Sequence, residues 1–165
     1  MNPAYFERAL VHEAGHAAVA LALGIRVRRV RVEDEEVMTT TAHRREHGPP
    51  FDARETERRV AVEYAGYIAE RRRFPFDREW ARSGAETDFG NAEALVLSSL
   101  GDVSCSRCFR TSHRTVVERW NLIEAIAQLL RERGELLESE VVHAASVHGI
   151  DPRSIDGYED LPEAA

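Results

Sequence analysis

The chain has 165 residues, 43% of them hydrophobic and 31% charged, a balance that fits one globular domain able to bury a core without disulfides or a structural metal. Its formal charge of −7 speaks against a general attraction to nucleic acid or an anionic membrane, and the basic clusters at Arg26 to Arg31 and Arg71 to Arg73 read as solvated faces set among acidic ones. All 22 residues counted as lysine plus arginine are arginine, so a phosphate-binding loop ending in Gly-Lys-Ser/Thr is excluded, as is a Schiff-base lysine.

In chain order, Asn2 and Pro3 provide a cap and first position for a helix over 3–23, and Gly24 supplies its stop. The later half of this helix is apolar on nearly every side, which predicts a helix enclosed by the rest of the domain. Gly15 in its middle costs about 1 kcal/mol of helix propensity, so close backbone packing is its expected reason. "IRVRRVRV" (25–32) and "VMTTTA" (37–42) predict two strands joined by the acidic turn Glu33 to Glu36, with the first strand's alternation broken once at Arg28-Arg29. His43 to Pro50 reads as a loop.

Asp52 with Glu55 resembles a capping pair, and Ala61, Tyr64, Ala65 and Ile68 recur at helical spacing, predicting a second helix over 53–73 that ends before Phe74-Pro75. Ser83 and Glu86 form a capping box for a third helix over 84–99. After a loop containing both cysteines, Val116, Trp120, Ile123, Ala127 and Leu130 mark one face of a long helix that Gly134 ends or bends. A short helix follows over 138–147. The expected organisation is one domain over 1–150 and an acidic, flexible tail over 151–165.

Cys105 and Cys108 are too few for a disulfide framework and are expected as reduced thiols in a surface loop. With His113 they could make half of a second zinc site, but no matching ligand pair is visible. The first segment has neither the basic flank nor the cleavage site of a secretory signal, and Ala14 to Leu23 is too short to span a bilayer. A cytoplasmic protein without membrane or nucleic-acid partners is therefore expected.

The segment "VHEAGHAAVALALG" (11–24) sets His12, Glu13 and His16 into an apolar run, where unpaired titratable groups would each cost several kcal/mol. "HEAGH" fits the H-E-x-x-H pattern. Residues four apart lie one turn apart on the same helix face, so two imidazoles can reach one Zn2+, and Glu13 beside the first can take a proton from water. The competing reading is a chance match, with the histidines bonded to backbone and Glu13 paired with an arginine. A catalytic zinc takes three protein ligands. The extended pattern that would supply a third histidine fails, because Val19 and Ala22 occupy its glycine and histidine positions. Asp88 is the best candidate for a third ligand, on the helix side shared with Ala92 and Leu95, with a plain favourable charge near a helix N-terminus as the equal alternative from pattern alone; Glu63, Glu70, Asp77, Glu86, His43 and His47 compete with it.

These segments resemble the peptidase domain of the FtsH family, the membrane-bound ATP-dependent zinc proteases. "HEAGHAAVALAL" is similar to that family's zinc helix, "AGYIAERRRF" to its A-G-x-A-A-E helix, and "SGAETDFGNAEALV" to the segment bringing an aspartate as third ligand. The resemblance covers about 8–145, including "VVERWNLIEAIAQLLRERGELLESEVV". It implies a mostly α-helical fold with a small β-hairpin or sheet, Zn2+ held by His12, His16 and Asp88, and Glu13 as catalytic base. It further implies substrate strand addition along Val37 to Ala42. The family's transmembrane and AAA+ ATPase parts have no counterpart in these residues, "EDEE" replaces its proline-arginine-glycine stretch, and "RFPFDREWAR" replaces its glycine-rich loop.

The expected function is a zinc metalloendopeptidase acting on exposed or unfolded polypeptide. The alternatives are a non-catalytic zinc-binding interaction or regulatory module, and a peptidase dependent on a separate AAA+ ATPase. Monomer, dimer and ring all remain compatible with the sequence.

Overall fold

The computed structural model describes residues 3–32, 37–41 and 51–156. Helix α1 (Pro3–Ala22) runs through the middle of the fold. Around it pack strands β1 (Val27–Val32) and β2 (Val37–Thr41), helices α2 (Ala53–Glu63) and α3 (Ala65–Arg73), and helices α6 (Cys105–Glu118), α7 (Trp120–Arg133) and α8 (Glu138–Val147). The remaining elements are α4 (Arg78–Gly84), α5 (Glu86–Leu97), β3 (Glu135–Leu137) and a single 3-10 turn over Pro152–Ser154. The fold is thus mostly helical with one small sheet, and no described helix is long and apolar enough to cross a membrane.

The expected enclosure of α1 is visible in its burial: Leu10, Ala14, Ala17, Ala18, Val19, Ala20 and Leu21 are removed from water and meet Ile123, Ile126 and Leu130 of α7 in one core. Gly15 is where α3 comes closest, since a Cβ there would lie 2.8 Å from the Ala69 Cβ and 2.9 Å from the Ala65 carbonyl oxygen. A stop at Gly24 also fits. Its φ of 77° is open to glycine at little cost, and a side chain would meet the Ser154 carbonyl at 2.8 Å.

The sheet has the order β2-β1-β3, both pairings antiparallel, with Val30 opposite Thr39 on one side and Leu136 on the other. The broken alternation at Arg28-Arg29 is a register irregularity between Val27 and Arg29: the extra residue leaves both arginines outside while Val27, Val30 and Val32 face the core. β3 was not foreseen, because three residues give too little alternation to detect.

Several boundaries differ from the sequence reading. The helix expected over 53–73 is interrupted at Tyr64, next to the Val62 carbonyl that receives a side-chain hydrogen bond from α1; such an insertion is a known cause of broken helix ladders. Asp52 does cap α2, accepting the Glu55 amide at 2.8 Å. Ser83 caps nothing: it lies inside α4, and α5 begins after Ala85 without a side-chain cap. The cysteines open helix α6 and do not sit in a loop, and the long helix expected through Val116 to Leu130 is two helices meeting at Arg119. Residues 151–156, read as the start of a loose tail, are docked on the body. Ile155 is buried, the Asp156 amide donates to the Gly24 carbonyl at 2.8 Å, and Arg58 pairs with Asp156 at 3.1 Å. The expectations for Asn2, the acidic turn, the loop at 43–50 and the end of the tail lie outside the described residues.

Candidate metal centre

His12, Glu13 and His16 are all buried, 6–8% exposed, on α1. The helical repeat puts the two histidines one above the other, and their Nε2 atoms lie 3.0 Å apart. Asp88 reaches them from the first turn of α5, its Oδ2 at 2.9 Å from His12 Nε2 and 3.4 Å from His16 Nε2. Among the described residues this is the one group of three or more histidine, cysteine or acidic side chains whose ligand atoms converge closely enough for a metal ion.

The donor set fits zinc. Tetrahedral bonds of about 2.0–2.1 Å set neighbouring ligand atoms roughly 3.3 Å apart; the observed triangle of 2.9–3.4 Å matches that spacing or is slightly tighter. The second nitrogen of His16 is also committed, as Nδ1–H donates to the Val62 carbonyl at 2.7 Å. That bond leaves Nε2 as the ligand atom and fixes the ring plane, the usual outer arrangement of a metal-bound histidine.

Gly66 completes the floor. A Cβ there would come within 2.5 Å of both His12 Cδ2 and His16 Nε2, so only a residue without a side chain lets α3 lie under the two rings.

Electrostatics tie the group together. Burial disfavours the charged His16 ring, yet the hydrogen bond and charge of Asp88, with the charges of Glu13 and Glu63, outweigh it and raise the imidazole to about 10. Burial likewise works against the Asp88 carboxylate, but hydrogen bonds from His12 and His16 hold it well below the usual carboxylate range. The two shifts describe one interaction: a proton held between histidine and aspartate where a cation can replace it.

The competing ligands do not join the converging group among the described residues. Glu63 accepts the Asn91 side-chain amide at 3.2 Å, Asp77 pairs with Arg8, and Glu86 is exposed. Glu70 is buried on α3, and its Oε2 finds no hydrogen-bond partner among the described residues; burial pushes it up to about 7, with the charges of His12 and Arg8 opposing. His43 and His47 lie outside the described residues. Cys105, Cys108 and His113 form no metal-holding group among the described residues.

Three contributors had no reading in the sequence. The Val62 carbonyl is a backbone atom and leaves no compositional trace. Gly66 stood in the quoted "AGYIAE", but its reason is a contact across the fold. Arg8 lies one turn before His12, with its guanidinium carbon 4.6 Å from the Phe74 ring centre and 4.5 Å from that of Trp80. It thereby ties α1 to α4, the helix just before the one that carries Asp88. Strand β2 adds a further link: Thr39 Oγ1 donates to the Glu13 carbonyl at 3.1 Å, and β2 lies at one edge of the sheet among the described residues.

Comparison with known proteins found no family model that matches the chain and no curated protein that matches it.

Proposed function

We propose that the chain is a zinc-dependent endopeptidase of the FtsH type, cutting exposed or unfolded polypeptide. The observation that carries this reading is the convergence of His12, His16 and Asp88 beside the buried Glu13. Three protein ligands are the number a catalytic zinc keeps, with a further position left for a reactant, whereas structural zinc sites close with four. The resemblance in sequence agrees with the placement. The segments likened to the family's zinc helix and aspartate segment bring the three ligands, and the intervening "AGYIAE" brings Gly66 beneath them.

Zinc bound at these residues supplies Lewis acidity, making water a nucleophile near neutral pH and drawing charge from the scissile carbonyl. His12 and His16 bind through Nε2, Val62 holds the His16 tautomer, and Asp88 contributes the negative charge that offsets the cation. Glu13 takes the proton from water and passes it to the leaving amine. An extended polypeptide pairing with β2, an outer strand of the sheet among the described residues, runs beside α1, where Thr39 fixes the strand to the Glu13 backbone.

The test is cleavage of an unfolded polypeptide by the zinc-loaded chain, beside Glu13→Gln. The wild type cleaves, and the variant loses about 10²–10⁴ in rate while keeping its zinc. Retained cleavage in the variant overturns the role of Glu13. A zinc-loaded wild type that leaves unfolded polypeptide intact overturns the autonomous endopeptidase.

A further inference from the structure

Cys105 and Cys108 occupy the first and fourth positions of α6, one exposed and one buried. Residues three apart on a helix have Cα atoms within the about 4.4–6.8 Å that a disulfide spans. Cys105 is the first helical residue, and its amide has no intrahelical partner to lose if that turn adjusts. Cys105 stands at a helix N-terminus, where partial positive charge gathers, and Cys108 packs with Val60, Ala61 and Tyr64 in one apolar cluster. Burial, then the charge of Cys105, pushes Tyr64 up to about 12, so the phenol keeps its proton. Burial, with the charges of Glu57 and Cys105, pushes the Cys108 thiol up to about 11, which makes it the poorer attacker and the resolving partner.

We propose that Cys105 and Cys108 are a dithiol oxidation site, converted to an intramolecular disulfide by a small disulfide such as oxidised glutathione, and that this change loosens the Tyr64 junction between α2 and α3. The Cys105 thiolate attacks one sulfur of the small disulfide, forming a mixed disulfide and expelling a thiolate. The Cys108 sulfur then attacks Cys105, forming the internal bond and expelling the second thiolate. Two protein thiols are oxidised, one small disulfide is reduced to two thiols, and the two cysteine protons end on those thiols.

The bond draws the Cys108 sulfur toward Cys105 and so disturbs the cluster it shares with Val60, Ala61 and Tyr64. Tyr64 is the residue on which α2 ends and α3 begins. Two residues before it is the Val62 carbonyl that holds His16, and two after it is Gly66 under both imidazoles. Its ring also packs 5.6 Å from Phe109, next to Cys108, and 6.0 Å from Phe89, next to Asp88. A change at the thiols therefore meets a junction whose neighbours touch every metal ligand.

The experiment uses the metal-free full chain, so that failure of the zinc reading cannot imitate failure here. The chain is treated with graded ratios of oxidised to reduced glutathione and read by intact mass, and by hydrogen exchange of the amides of Tyr64, Ala65 and Gly66. The expected product is two hydrogens lighter and carries no glutathione, and its junction amides exchange several-fold faster. Cys105→Ser, a change at an exposed position, is expected to stay unmodified with unchanged exchange, and Cys108→Ala to stop at the mixed disulfide. A wild type that stops at a mixed disulfide or stays unmodified overturns the oxidation site. A disulfide that leaves junction exchange unchanged overturns the coupling.

Discussion

Gly66 lies directly beneath His12 and His16, so that a single methyl at its Cα would come within 2.5 Å of atoms in both rings. The α1–α3 crossing is thus set by the His12 and His16 rings as well as by the small residues Gly15 and Ala69. Gly66→Ala is expected to displace one imidazole and weaken zinc binding at least about 10–100-fold, the range seen when a ligand loses its outer support. Gly90→Ala is the control. It meets nothing within 4 Å on α5 and is expected to raise stability by about 0.5–1 kcal/mol. Zinc affinity and urea unfolding of the two variants check this pair, and equal zinc affinities would contradict it.

The interaction of His16 with Asp88, which favours a protonated imidazole, predicts that zinc binding at the proposed site is pH-dependent. The His16 pKa in the folded metal-free chain is raised from 6.5 to about 10. Its contribution to stability is therefore fully present below pH 6.5 and is lost as pH rises through about 10. The depressed Asp88 contributes above its ordinary 3.8, and that part is lost as acid protonates it in the folded state. Zinc must displace the His16 proton, so near neutral pH binding is expected to release about one proton and to tighten as pH rises. Calorimetry in two buffers of different ionisation enthalpy measures the release, and none at pH 7 would contradict the shared-proton account.

Arg8 is 8% exposed between the faces of Phe74 and Trp80, whereas the side chain of its ion-pair partner Asp77 is 58% exposed. The stacked rings contribute more than the half-solvated pair, because exposed ion pairs are worth about 0–1 kcal/mol and desolvated cation–π contacts about 2 kcal/mol or more. Arg8→Met is expected to cost about 2–3 kcal/mol and Asp77→Asn about 1 kcal/mol or less, both read from urea unfolding. The reverse order would show that the ion pair, and not the aromatic clamp, holds α4 against α1.

Much of this was legible in the sequence where a local pattern carried it. The H-E-x-x-H spacing, the apolar wrap of α1 and the break at Arg28-Arg29 all depend on residues close in the chain, and a glycine at position 15 inside a helix signals close packing even though its neighbours on α3 are distant. Asp88 was placed on the inward side of its helix by Ala92, which is buried. What escaped depends on distant contacts or on very short elements. The break at Tyr64 sits beside a hydrogen bond from a residue 46 positions earlier, and β3 has only three residues. The helical start at Cys105 was masked by "SCSRCFRTSH", a polar stretch whose buried members, Cys108 and Ser112, are too few to show a stripe. Ser83 offered capping chemistry in the right order, but α4 incorporates it instead.

The central claim is that His12, His16 and Asp88 together bind zinc, and the most direct measurement is zinc per chain in purified wild type and Asp88→Ala, after loosely bound metal is removed. Circular dichroism on the same samples separates loss of metal from loss of fold. The account predicts about one zinc per wild-type chain and loss of most of it in a variant that remains helical. Equal zinc in both proteins, or none in the wild type, would contradict it.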